Sequence, residues 1–278
     1  MTERTVAIIV PAPPGERLTE DENISLRHLE HFLGRYDRYL VAPKVHPLEL
    51  PGFNPMRFDS KFFGSTEAHT RLMLSDTFYR AFAEYEFILI YHLDALVFSD
   101  DLQYWCSQGL DYVGAPWLTD HRNPERGFKL VGNGGFSLRR VEAFRGVLGS
   151  KKYTHRPADY WRRNYGEEPP ATKALNFPKR WLKHLNRFNG PRWHASRFEL
   201  FEDLFWSRYA VHYRPDFRAA TVEQGLRFAF ECAPRYCFQQ AGQRLPFGAH
   251  AWARYDRAFW EPHLLDDEAL KKAGLGPH

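Results

Sequence analysis

The chain has 278 residues, 44% of them apolar and 16% aromatic, enough for a large buried core and too apolar for intrinsic disorder; length alone allows one large α/β domain or two small ones. A net charge of +4, from 38 basic against 34 acidic residues, is too small to argue for a nucleic-acid partner. No run of eighteen apolar residues exists to span a bilayer.

The chain starts Met1-Thr2-Glu3-Arg4 and continues into a short apolar run without the cleavage pattern of a signal peptide. Cys106, Cys232 and Cys237 have no metal-ligand spacing and would leave one thiol unpaired, which fits a reducing cytoplasm. Thr5 to Val10 reads as a buried first strand, ended by a Pro-Ala-Pro-Pro-Gly loop. Asn23 to Leu33 has helical spacing, and Tyr39 to Ala42 reads as a second strand stopped by Pro43. The spacing predicts one helix over Thr70 to Phe82, followed by the continuous apolar strand Phe87 to Tyr91. A strand without polar alternation is buried on both faces, as in a parallel sheet covered by helices. Strands alternating with helices over the first hundred residues therefore predict an open α/β sheet.

Beyond it, Asp111 to Ala115 and Gly135 to Leu138 read as short strands. From 150 to 198 the pattern breaks into Pro, Arg, Asn and aromatic residues, which predicts a large insertion or lid. Within it, Ala171 to Phe198 carries seven Lys or Arg residues and no carboxylate, interleaved with Trp181, Phe188 and Trp193. Such a stretch suits phosphates, an anionic membrane surface, or a solvated basic loop. Glu199 to Tyr209 reads as a helix, and Gln240 to Arg254 as irregular chain before a charged tail.

Five segments carry residues suited to chemistry. Asp94 follows the FILIY strand in Tyr91-His92-Leu93-Asp94, where ligands of open α/β sheets bind; the plain alternative is a cap on the next helix. Gly132-Asn133-Gly134-Gly135-Phe136 has three glycines in four residues. They permit close backbone approach or positive φ, but the spacing of a phosphate loop is absent and a tight hairpin is the alternative. Gly114-Ala115-Pro116-Trp117 places a large aromatic ring beside small residues, suited to a sugar pocket or simply to a core. Glu202 and Asp203 sit between Phe201 and Leu204-Phe205-Trp206: desolvated, such a carboxylate can act as a general base, whereas exposed at a helix start it only complements the dipole. His250, between Ala249 and Ala251, has room to reach a ligand but is one of 13 histidines.

In this order the segments resemble a glycosyltransferase family that shares YxxDxxxF, GAPW, GNGGFSLR, EDxxF and a late FGxH. Here they read Tyr91 to Phe98, Gly114 to Trp117, Gly132 to Arg139, Glu202 to Phe205 and Phe247 to His250, and the match runs from about residue 5 to 252. The order is also similar to the wider GT-A plan of DxD element, glycine loop, xED element and C-terminal histidine. The resemblance implies one GT-A-like α/β domain over 1–278, with a Rossmann-like open mixed sheet flanked by helices. It would comprise a nucleotide-binding half (1–100), an acceptor half (101–255) containing the 150–198 insertion, and a tail (256–278). It implies an enzyme of polysaccharide biosynthesis, moving a hexosyl group from a nucleotide-sugar donor to a hydroxyl of a glycan or lipid-linked acceptor.

The same resemblance implies roles for residues. Asp203 would be the general base of an inverting reaction, with Glu202 beside it. Val10, Pro11, His92, Asp94, Gly134, Gly135 and Arg139 would bind the donor, and Trp117, Asn133, Phe136 and Trp206 would form the acceptor and sugar pocket. Asp94 and His250 would hold Mn²⁺ or Mg²⁺. The first aspartate of the DxD element is replaced by His92, which suits Mn²⁺ less well than a carboxylate does. Without a metal, arginines near 139 or in 171–198 would have to balance the leaving diphosphate. Two rival readings are a metal-dependent hydrolase built on His92, Asp94 and His250, and a non-catalytic glycan-binding module that stacks sugars on Trp117, Trp193 and Trp206.

Overall fold

A computed structural model describes residues 4–265; Met1 to Glu3 and 266–278, most of the expected tail, lie outside the described residues. Strand β1 (Arg4–Pro11) turns Val6, Ile8 and Val10 to one side and Ala7 and Ile9 to the other, and all five are buried. That two-sided burial follows from the period of two and requires cover on both faces. Helix α1 (Glu20–Leu33) supplies cover on the Val6 side through Leu29 and Leu33. Its start is fixed by a capping box in which Thr19 and Glu22 each bond the other's backbone N–H. Strands β2 (Asp37–Pro43) and β3 (Asn54–Phe58) extend the sheet in parallel.

The single helix expected over Thr70 to Phe82 is two, α2 (Thr66–Met73) and α3 (Asp76–Ala81). The break falls at Ser75, whose Oγ accepts the Phe78 N–H and caps a new helix. The apolar period survives the break because Leu72, Met73, Phe78, Tyr79 and Phe82 still bury on one face of the sheet.

Strand β4 (Tyr85–Tyr91) lies at the centre, parallel to β1. After it come β5 (Leu96–Val97), α4 (Leu102–Ser107), β6 (Tyr112–Gly114), the hairpin of β7 (Pro116–Leu118) and β8 (Phe128–Val131), and β9 (Phe136–Arg140). The main sheet has the order β3-β2-β1-β4-β9-β6, with β9 antiparallel to both of its neighbours. It is the expected open mixed α/β sheet flanked by helices. The reversal at β9 positions the site: Phe136 pairs with Tyr91, so the loop leading into β9 arrives where β4 ends.

Helix α5 (Val141–Leu148) covers the Ala7 side. The segment 150–198, expected to be a large insertion or lid, contains α6 (Pro157–Tyr165), α7 (Pro170–Leu182) and α8 (Pro191–Ala195). Each begins on a proline, which at the first helical position loses no bond and has its φ preset. The prolines that read as breakers are starts. Helix α9 runs from Glu202 to Tyr213, with Phe205, Trp206, Ala210 and Tyr213 buried. The remaining chain forms α10 (Val222–Phe228), β10 (Ala229–Phe230), α11 (Pro234–Gln240), β11 (Gly248–Ala249) and α12 (Arg257–Trp260). β11 joins β10 and β5 in a small sheet inside the stretch expected to be irregular. Among the described residues no helix is long and apolar enough to cross a membrane.

Trp206, expected in the sugar pocket, is fully buried in the core, with ring centroids 4.3 Å from Phe144 and 5.6 Å from Tyr79. Trp206→Ala should therefore cost about 3–5 kcal/mol in urea denaturation, the range for deleting a large core aromatic. A variant of near wild-type stability would return Trp206 to a surface role.

Candidate active site

The site forms where β4 runs out. His92 donates its backbone N–H to the Gly135 carbonyl at 2.7 Å, carrying the β4–β9 ladder one step past the strand ends. Asn133 shapes the arriving loop, its Oδ1 accepting the N–H groups of Gly135 and Phe136 at 2.8 and 2.7 Å. None of Gly132, Gly134 and Gly135 has positive φ; what they provide is clearance. A Cβ on Gly135 would lie 1.9 Å from His250 Nε2, one on Gly134 3.1 Å from Glu202 Oε1, and one on Gly132 2.5 Å from Ser207 Oγ. Gly114 is restricted in the same way, 2.7 Å from the Asn133 nitrogen.

On one side of this loop stand His92, Asp94 and His250, whose donor atoms lie within 4.8 Å of one another. Asp94 is 53% exposed and its Oδ1 is 3.3 Å from His250 Nε2; it does not cap α4. The other ring nitrogen, His250 Nδ1, lies 2.9 Å from Glu231 Oε1. Burial disfavours a charged His250, but its hydrogen bonds to Asp94 and Glu231 and their negative charges outweigh that and raise it to about 10. The protein packed around Asp94 would by itself raise the carboxyl; the hydrogen bond and charge of His250 reverse this and hold it at about 2. Burial, then His69 and His250, push His92 down to about 3, so its ring is neutral. Its Nε2 is buried without a partner, as is that of His69, whose ring lies against it at 5.2 Å. Glu231 and His69 carry no motif spacing, and sequence reasoning missed both.

On the other side, the start of α9 is tied to the sheet by a buried ion pair, Arg139 Nη2 to Glu202 Oε1 at 2.8 Å. Arg139 also donates to Tyr79 Oη and Ser137 Oγ and is wholly buried. The expected role of Arg139 at a diphosphate is therefore corrected: burial and the Glu202 pairing make it an internal counter-ion. Glu202 Oε2 is buried without a partner. Asp203 is more open, its Oδ1 accepting the Leu204 N–H at 2.8 Å. Burial and the neighbouring Glu202 charge raise it to about 7.

Other expected residues fall in different places. Phe136 is fully buried against Tyr91, Phe228 and Phe247, and the Val10 side chain is in the core. Asn133 is buried in shaping the loop, so neither it nor Phe136 offers a side chain to a sugar. Pro11 is half-buried at the end of β1. Trp117 is half-buried, its ring 3.3 Å from where a Gly132 Cβ would be.

A concavity of about 600 Å³ adjoins the site, lined by Thr66, Thr70, Arg71, Phe198, Leu200 and Phe201. Thr70 follows His69 on α2, and Phe201 directly precedes Glu202. Another of about 620 Å³, lined by Tyr85, Glu86 and Arg140, lies at the opposite end of β4.

Two outcomes follow. Arg139→Met leaves Glu202 buried and unpaired, and should destabilise the fold by about 3–5 kcal/mol in denaturant titration; a near-neutral result would mean that water reaches the pair. Asp203 keeps its proton to about pH 7 when folded but only to about 4 when unfolded. The native state binds more protons in that window, so this residue's contribution to stability falls as pH rises through it. Asp203→Asn should melt above wild type at pH 8, with the gap closing towards pH 4. A pH-independent gap would refute the shift.

The chain is similar to several solved glycosyltransferases at low identity. The glycosyltransferase GlyE of Streptococcus pneumoniae TIGR4 is 13% identical, with 99% of this chain and 65% of that one aligned and a TM-score of 0.42, so this chain spans just under two thirds of GlyE. A glycosyltransferase involved in the glycosylation of the major capsid of PBCV-1 is 12% identical, covering 93% of this chain and 98% of that one at a TM-score of 0.45. Mouse xyloside xylosyltransferase 1 in its apo form is 12% identical, covering 89% and 97% at 0.42. No curated protein matches. A family model described as protein of unknown function (DUF5672) matches residues 52–250, a span that holds His92, Asp94, the glycine loop, Glu202, Asp203, Glu231 and His250, and the chain belongs to that family.

Proposed function

We propose that this protein is a glycosyltransferase that moves a sugar from a nucleotide-sugar donor to a hydroxyl of a glycan or lipid-linked glycan. One observation carries the reading: the Gly134-Gly135 backbone is wedged between an Asp–His–Glu cluster and the carboxylates that start α9. A diphosphate needs countercharge, which a cation held by the cluster would supply, and an acceptor hydroxyl needs a base, which the carboxylates on the other side of the loop offer.

The cluster suits a divalent cation. Two imidazoles and a carboxylate converge, the His92 Nε2 is buried without a partner, and Glu231 orients His250 from its far nitrogen as second carboxylates do in metal sites. The nitrogen donors favour Mn²⁺ over Mg²⁺. His92, Asp94 and His250, the last after releasing its Nε2 proton, would hold the ion, which would supply countercharge to the leaving diphosphate. Asp203 takes the acceptor proton as the hydroxyl oxygen bonds to the anomeric carbon, on the face opposite the departing diphosphate. A carboxyl raised to about 7 keeps more basicity than an exposed one while remaining largely ionised at slightly alkaline pH. Arg139 and Glu202 act by fixing α9 against β9, and so the position of Asp203.

Asp203→Asn should lower transfer by ~100- to 10,000-fold while donor binding in calorimetry stays intact. More than about a tenth of wild-type turnover would remove it as the base. Asp94→Ala should weaken nucleoside diphosphate binding and abolish its enhancement by Mn²⁺, raising KM and lowering kcat together. Unchanged Mn²⁺-dependent affinity would overturn the assignment. If wild type released free sugar at the same rate with and without every acceptor tested, the hydrolase reading would replace transfer.

A further inference from the structure

Helix α7 is turned inside out. At about 100° per residue, Leu175, Phe177, Pro178, Trp181 and Leu182 fall on one arc of the helix, with Leu185 continuing it. Thr172, Lys173, Asn176 and Lys183 fall on the other. In a surface helix the apolar arc faces the protein. Here most of it faces outward, with Leu175 81% exposed, Trp181 69% and Leu185 52%, while Phe177 meets the Trp161 ring of α6 edge-on. The polar arc faces inward, with Thr172, Lys173 and Asn176 half-buried and Lys183 buried. Lys183 Nζ lies 3.5 Å from the centre of the Trp193 ring and donates to the Phe188 carbonyl. This corrects the expectation that Lys183 belongs to a free basic surface, and it leaves Trp193 covered by a cation.

We propose that α7 docks the protein on an anionic membrane surface, whatever reaction the site performs. Lys179 borders the outward arc and lies over the Tyr165 ring, Arg180 stands on the polar side over Trp161, and Arg187 follows; all three are exposed, and no carboxylate lies between 171 and 198. Glu167 and Glu168 sit ahead of the helix, at the end remote from Trp181. An apolar arc of Leu, Phe and Trp flanked by cations enters the boundary between headgroups and acyl chains, where long basic stems reach back to phosphate. A second copy of the chain is a poorer occupant, because pairing the two arcs would bring like cations together. The arm leads through α8 and the wall of the 600 Å³ concavity directly into Glu202 and Asp203, so docking there would hold the site close to the bilayer.

The full chain should be sedimented with vesicles of phosphatidylcholine alone and with roughly a third phosphatidylglycerol, at low and high salt. Partition to the anionic vesicles should be stronger by on the order of tenfold and fade with salt. Leu175→Ser with Trp181→Ser should lose about that factor or more with unchanged circular dichroism and melting. Lys179→Gln, Arg180→Gln and Arg187→Gln together should erase the difference between vesicles. Partition to neither, or equally to both at low salt, would overturn the proposal. So would a concentration-dependent dimer that the Ser variants dissociate, since α7 would then be a self-association face.

Discussion

Everything in the site depends on a main chain passing where no side chain fits. At Gly135 the backbone crosses so near His250 that a single added carbon would overlap the imidazole. One residue earlier, Gly134 runs beside Glu202. The loop is thus a thin partition, with the β4 exit and the histidine that follows β11 on one side and the start of α9 on the other. A side chain at Gly135 would push His250 away from Asp94 and Glu231. The partition is held by Asn133, whose oxygen takes up two backbone N–H groups that would otherwise be buried unpaired.

The charges are arranged around that partition in alternation. Arg139 lies beneath it as a buried cation, matched by Glu202. His69 and His92 sit between Arg139 and His250 and are driven neutral by burial and by those cations. His250 remains charged only because Asp94 and Glu231 face its two nitrogens. Such a chain of buried groups is held together by mutual satisfaction, since removing one member leaves its neighbour in a low-dielectric setting without a partner. Asp203 stands outside this pairing. It has a like charge beside it instead of an opposite one, which is why its proton affinity rises.

A different balance shapes the 150–198 arm. The core on the Ala7 side is completed by α5 and α9, and α7 contributes no buried residue to it. Within the arm the contacts are polar and cation–aromatic, Lys183 over Trp193 and Tyr160 and Asn189 bonded to the His155 and Lys183 carbonyls, whereas Ala195, Phe198 and the bonds of Thr154 and His194 to Tyr213 fasten it to the core. The Lys183 and Asn189 contacts use the polar face of α7, and on its apolar face Phe177 meets Trp161 while Leu175 and Trp181 stay exposed. An amphipathic pattern in sequence states that two faces differ, but not which one meets the protein.

Much of the framework was legible in the sequence. Thr5 to Val10 and Phe87 to Tyr91 are strands because unbroken β-branched and aromatic runs bury on both faces, and Asp94 stands just past the second because polar residues return where the sheet ends. Local chemistry also held the capping signal of Ser75 and the prolines that begin α6, α7 and α8, although periodicity alone concealed them. What tertiary structure alone decided was direction and partnership. Whether Trp206 faces a sugar or the core, whether Arg139 meets a phosphate or Glu202, and which side of α7 is outward all depend on elements distant in the chain. The antiparallel placement of β9 brought residues 134–135 to His92, and β11 brought His250 to both. Sequence determines a residue's chemistry and its local period; its neighbours across the fold determine its solvent exposure and its electric field, and these set its role.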